Sequence, residues 1–187
     1  MSHRDALRVC YASIAWGAVQ GAGAVAEGIH TRSLALLGAG AALVLDVGSS
    51  SVLVWRFRQD SEDDGPERLA SRVARIALAT IGIALLIGGI KRLAGHASPD
   101  VSGLSLTLAA AGVVLLPLLA RWKYAVAARV ESGALRTDGH ITMVGAAVSG
   151  VTLVGLAVTS AFDWWWADAA AALGVALIAI ATAWRET

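Results

Sequence analysis

The sequence predicts an all-α, polytopic membrane protein: a six-transmembrane-helix bundle spread over residues 1–187 as one domain, with no soluble domain of any size. Three observations predict it. Hydrophobic residues make up 57% of the chain and charged residues 16%, with a mean hydropathy of +0.66, whereas a soluble domain carries about a quarter charged residues. The apolar residues come in long blocks that keep no polar face for water. The basic residues sit between those blocks, and unevenly.

In chain order the blocks are Val9 to Ala26, Leu34 to Trp55, Val73 to Ile90, Val101 to Leu119, Ile141 to Phe162 and Trp164 to Trp184, each 18 to 22 residues long. A helix rising about 1.5 Å per residue needs roughly 20 apolar residues to cross about 30 Å of hydrocarbon, so each block fits one crossing. Helices are what lipid demands, because an unpaired backbone amide there costs several kcal/mol. No block alternates with a period of two, which argues against membrane strands.

The connections fix an orientation. Twelve Lys and Arg fall on the side of the termini and of the second and fourth loops, counting Arg121 and Lys123 in the fourth, against Arg32, Lys91 and Arg92 on the other. Such an excess places both termini in the cytoplasm of a cell-membrane protein. Trp55, Trp122, Trp184 and the run Trp164 to Trp166 fall at block ends, where amphipathic rings sit among headgroups, and only Trp16 is mid-span. A cleaved signal peptide is the rival reading of Arg4, Arg8 and the stretch closing on Ala24-Val25-Ala26, but its apolar part is longer than a signal core. The second loop, QDSEDDGPE from Gln59 to Glu67, reads as a solvated connection; as a metal-gathering loop it would lack His and Cys. With the single Cys10 there is no intramolecular disulfide framework, and a net charge of +1 gives no field for nucleic acid.

Within the spans, small residues recur: Gly17 and Gly21 as GxxxG, Gly38 and Gly40 in the second, and Gly145, Gly150 and Gly155 in the fifth. They read as tight packing inside one bundle ahead of a dimer seam. The residue that carries function is Asp46, about eleven residues from either end of the second span. A carboxylate at that depth costs at least about 2.5 kcal/mol on insertion scales, so it faces the bundle interior and marks an ion or proton path, or ties helices together through a hydroxyl. At the start of the fifth span, Asp138, His140 and Thr142 read either as ligands or as a helix cap with a His among headgroups. Cys10 and Met143 read as packing residues ahead of soft ligands.

Three stretches together resemble the transmembrane domain of the cation diffusion facilitator, or cation efflux, family: RSLALLGAGAALVLDVGSSSVLVWRFR from Arg32 to Arg58, ALRTDGHITMVGAAVSG from Ala134 to Gly150, and WWWADAAAALGVALIAI from Trp164 to Ile180. Trp164 to Trp166 with Ala167-Asp168, and an end soon after the sixth span, are similar to a short, divergent bacterial branch lacking the cytosolic metal-binding domain. The resemblance implies a homodimer that exchanges a divalent cation such as Zn²⁺, Mn²⁺ or Cd²⁺ for protons. It implies two ligand pairs at i, i+4 on the second and fifth spans, because residues four apart share a helix face. Aligned on the second-span Asp, Asp46 has Ala42 as its partner; aligned on Asp138, the fifth span offers Ile141 and Gly145, and shifted by one residue it offers His140 and Val144. Three of four family ligands are then absent, and if Asp46 binds a cation, Ser49, Ser50, Asp138 or His140 must help or the ion must keep several waters, as harder cations do.

The sequence therefore points to a secondary transporter of divalent metal cations, not an enzyme, with a degenerate site built on Asp46, Asp138 and His140. The alternative is a transport-inactive relative serving as a membrane scaffold or as subunit to a second membrane protein. A third reading is a carrier for another solute. No resident cofactor, nucleotide loop or nucleic-acid surface is implied.

Overall fold

The computed structural model describes residues 3–59 and 65–185, with the side chains of residues 3, 59, 65–75, 77, 78 and 185 outside the description. The core of the acidic second loop, residues 60–64, falls outside it too. Six helices make up the described chain: α1 (His3–His30), α2 (Leu34–Gln59), α3 (Gly65–Gly95), α4 (Gly103–Val130), α5 (Gly133–Phe162) and α6 (Ala167–Arg185). Among the described residues α1, α2, α4, α5 and α6 are long and apolar enough to cross a membrane. The remaining expected span, 73–90, falls on α3, where part of the side chains is not described.

The helices do not stop where the apolar blocks stop. α4 runs eleven residues beyond Leu119 and α5 begins eight residues before Ile141. Charged residues end a hydropathic block but not a helix, whose backbone bonds do not depend on them. At the other end, α6 starts only at Ala167, so Trp164 to Trp166 form the turn that precedes it, closed by the Ala167 amide on the Trp164 carbonyl at 3.0 Å.

The α4–α5 connection sets how deep the residues of α5 lie relative to those of α4. Glu131, in the left-handed region at φ 53°, caps α4 with its amide on Ala127 O, and Ser132 caps α5 by accepting from Leu135 N. A two-residue turn leaves α4 and α5 antiparallel with one register. Lys123 and Asp138 then lie about 12 Å and 9 Å from it along their axes, at about 1.5 Å per residue.

α2 is the central helix, packing on α1, α3, α5 and α6 and lightly on α4. Its seam with α1 depends on glycine: a Cβ on Gly17 would stand 2.8 Å from Val47, and one on Gly40 would stand 2.8 Å from the Val25 backbone nitrogen. The GxxxG of α1 thus serves a seam inside the bundle, where small residues let backbones approach. Across α1, α2, α4 and α5 the interior is layered. At the end where α1 begins, Val9, Cys10, Leu53, Val126, Ala127 and Leu135 form one apolar cluster. About three turns further in, Leu43, Leu116 and Ala146 form another, with Trp16 and Leu119 against it. Between these layers lies a group of buried polar side chains.

Candidate functional site: a caged ammonium between α2, α4 and α5

Between the two apolar layers lie Ser13 of α1, Asp46 and Ser50 of α2, Lys123 of α4, and Asp138 and Thr142 of α5, none more than 2% exposed. Lys123 is at the centre. Its ammonium stands 2.6 Å from Thr142 Oγ1, 2.7 Å from Asp138 Oδ2, 3.1 Å from Ser50 Oγ and 3.4 Å from Asp46 Oδ1. With four oxygens facing three N–H donors, every donor has an acceptor.

The oxygens are themselves held. Ser13 donates to Asp46 Oδ2 at 3.1 Å and Ser50 to Asp138 Oδ2 at 3.0 Å. The Thr142 hydroxyl lies 2.6 Å from Asp46 Oδ1 and 3.0 Å from the Asp138 carbonyl, and its one hydrogen, given to the nearer Asp46, ties α5 to α2. Burying charge is tolerable only with such pairing. With all three charges present the cluster carries two negative and one positive charge.

Several expectations change. Lys123, counted with a cytoplasmic loop, is a fully buried helical residue, because α4 continues through it on the face that also buries Leu116, Ala120 and Ala127. It drops out of the loop charge count, whose excess remains large. Asp46 is not alone at depth: Asp138 shares its cluster, and the cap of α5 is Ser132, not Asp138. The i, i+4 pairs that converge are Asp46/Ser50 and Asp138/Thr142, rather than Ala42/Asp46 with Ile141/Gly145 or His140/Val144. The register differs because the turn after α4, which sequence spacing does not display, decides how deep α5 sits.

His140 lies apart from these residues. It is exposed, with Nδ1 3.0 Å from the Tyr124 hydroxyl. Ser49 is half-buried and, unlike Ser50, makes no contact to the cluster that the described geometry shows. Cys10 belongs to the apolar layer below, and Met143 is exposed. No three His, Cys, Asp or Glu side chains group as a metal site among the described residues. Lys123 was the residue that sequence reasoning missed. Its signal was a lone cation at the i, i+4, i+7 positions of an otherwise small or apolar face: Leu116, Ala120, Lys123, Ala127.

A second polar contact set lies near the other end of the bundle. Asp168, fully buried at the start of α6, accepts from the Ser33 hydroxyl and from the Leu34 amide at 3.1 Å, and pairs with Arg92 of α3 at 3.4 Å. Ser33 in turn accepts from Leu36 N at 3.1 Å. This joins α3 and α6 to the first turn of α2, where free amides favour a carboxylate.

A bundle of apolar helices around an occluded ionic cluster defines a multi-pass membrane protein. The cation efflux transmembrane domain matches residues 11–187, and the chain belongs to that family, which consists of transporters. It is also similar to Transmembrane protein 163 of Xenopus laevis, 26% identical over 144 residues, which cover 76% of this chain and 51% of that relative. The chain thus spans about half the length of the curated relative it matches.

Proposed function

We propose that this chain is a proton-coupled secondary transporter of divalent cations, and that Asp46, Ser50, Asp138 and Thr142 form the cage through which the cation passes. The observation that carries the reading is the convergence of two i, i+4 pairs on one point between α2 and α5. Two carboxylates and two hydroxyls supply only oxygen, which suits hard or borderline cations; of Zn²⁺, Mn²⁺ and Cd²⁺ the set favours Mn²⁺. The apolar layers above and below hold the cage closed, so passage requires the helices to rock and open it to one side at a time. The excess of basic residues at the ends of α2 and α4 supports a cell-membrane protein with both termini in the cytoplasm. A homodimer in the bilayer accords with family membership.

The competing reading is a transport-inactive scaffold or partner subunit of a second membrane protein, favoured by a cage already filled by a lysine. Flux into proteoliposomes across Zn²⁺, Mn²⁺ and Cd²⁺ separates the two. Transport predicts metal-dependent flux that Asp46→Ala abolishes and that His140→Ala, outside the cage, leaves in place. Absence of flux for every metal in the folded wild-type protein would decide for the scaffold.

A further inference from the structure

Lys123 holds the cage in a way that neither packing nor helix capping explains. Its Nζ lies inside hydrogen-bond reach of one oxygen from each of the four cage residues, and its side chain is fully buried. An ammonium of this kind is a compact, strongly hydrated point charge on a flexible four-carbon stem. It therefore fills the position of a small cation and, unlike an arginine fork, can swing away without changing the cage. A divalent ion placed among the same oxygens with Nζ still present would meet a like charge at contact distance, a repulsion that a low-dielectric interior screens poorly.

We propose that Lys123 is the tethered competitor of the transported cation: the cage admits a divalent ion only as Nζ withdraws, and closes on Nζ again when the ion has gone. The proposal rests on the cage reading above and adds its specificity-determining residue. Withdrawal is directional. Lys123 belongs to α4, whereas all four oxygens belong to α2 and α5, so a swing of its four-carbon stem removes the ammonium and leaves the ligands together. The swing does not require the helices to part: α4 stays packed on α5, and α2 packs only lightly on α4.

Mn²⁺ binding to purified protein, counted by the loss of the free-ion electron paramagnetic resonance signal, tests the competition. Lys123→Met, similar in length and uncharged, is expected to bind Mn²⁺ about tenfold more tightly or better than the wild type, a factor equal to one step of about 1.4 kcal/mol. Adding Asp46→Asn to that variant removes the gain. A folded Lys123→Met, together with Lys123→Ala, binding no more tightly than the wild type overturns the proposal.

The native chain offers a second test that needs no variant. Its two lysines are Lys91, exposed, and Lys123. Reductive methylation read by mass spectrometry is expected to modify Lys91 at all times and Lys123 only in the presence of Mn²⁺. Lys123 that stays unmodified under Mn²⁺ concentrations supporting flux also overturns it, while leaving the transport reading intact. A Lys123→Met gain with no flux in the wild type overturns both: Lys123 is then the cage's permanent occupant, and neither its withdrawal nor transport takes place.

Discussion

Stripping the ammonium from the cage is the sharpest energetic test of how the cluster is held. Lys123→Met leaves two buried carboxylates facing each other with only hydroxyls between them. At an effective dielectric near 20, attractions at 2.7 Å and 3.4 Å amount to about 6 and 5 kcal/mol. Their loss is offset in part because the ammonium no longer has to be taken out of water, a relief of several kcal/mol. Breaking one buried pair costs about 3–5 kcal/mol overall, and with two carboxylates stranded the upper part of that range, about 4–5 kcal/mol, applies. The decisive comparison is the triple variant Lys123→Met, Asp46→Asn, Asp138→Asn. Replacing a whole buried ionic cluster by neutral groups is often neutral or stabilising, so the triple variant should recover most of what the single one loses. Unfolding by SDS in mixed micelles, followed through the seven tryptophans, measures both. A single variant within about 1 kcal/mol of the wild type, or a triple variant as unstable as the single, would refute the electrostatic account.

Two further predictions concern the scaffold around the cage. Gly40→Ala drives a Cβ to 2.8 Å from the Val25 nitrogen and 3.1 Å from the Gly21 carbonyl, both backbone atoms, and should cost about 1–3 kcal/mol in a detergent melt. Gly48→Ala, with nothing within 4 Å, should stay within about 0.5 kcal/mol and serves as its control. Asp168→Ala strands the Leu34 amide and Arg92, whose side chain is 18% exposed. Its expected loss of about 2–3 kcal/mol lies between that of a helix cap and that of a fully buried ion pair, and the same SDS titration reads it.

Much of the bundle was legible because hydropathy reports what lipid requires, and that requirement acts on every residue of a span. Asp46 stood out for the same reason: at that depth, its neighbours are all apolar or small. Asp138 was read as a ligand or a helix cap and Lys123 as a loop residue, since each lies where an apolar block has ended and a charged residue looks like loop or headgroup contact. Whether such a residue points inward depends on how far the helix runs past its block and on which face it falls. α4 runs to Val130 because its turn with α5 is only Glu131 and Ser132, and that turn is a matter of two backbone conformations rather than of composition. The convergence of Asp46/Ser50 with Asp138/Thr142 was hidden for the same reason. Ser50 and Thr142 are ordinary residues in a membrane helix, and only the relative depth of α2 and α5 makes them cage oxygens.

The cluster is also a poor choice if its purpose were stability alone. An apolar core of equal volume would hold α2, α4 and α5 together as well or better, by about 1–4 kcal/mol in comparable buried ionic groups. What an ionic cage does that an apolar one cannot is demand a replacement for any charge that leaves. If the Lys123 ammonium swings away, two carboxylates on α2 and α5 remain in a gap lined by Ser50 and Thr142, and that gap is stable only when another cation fills it. The opening motion and the binding chemistry would then be one event. A cage that opens empty is the unstable state, and avoiding that state is how an exchanger keeps its two half-reactions coupled.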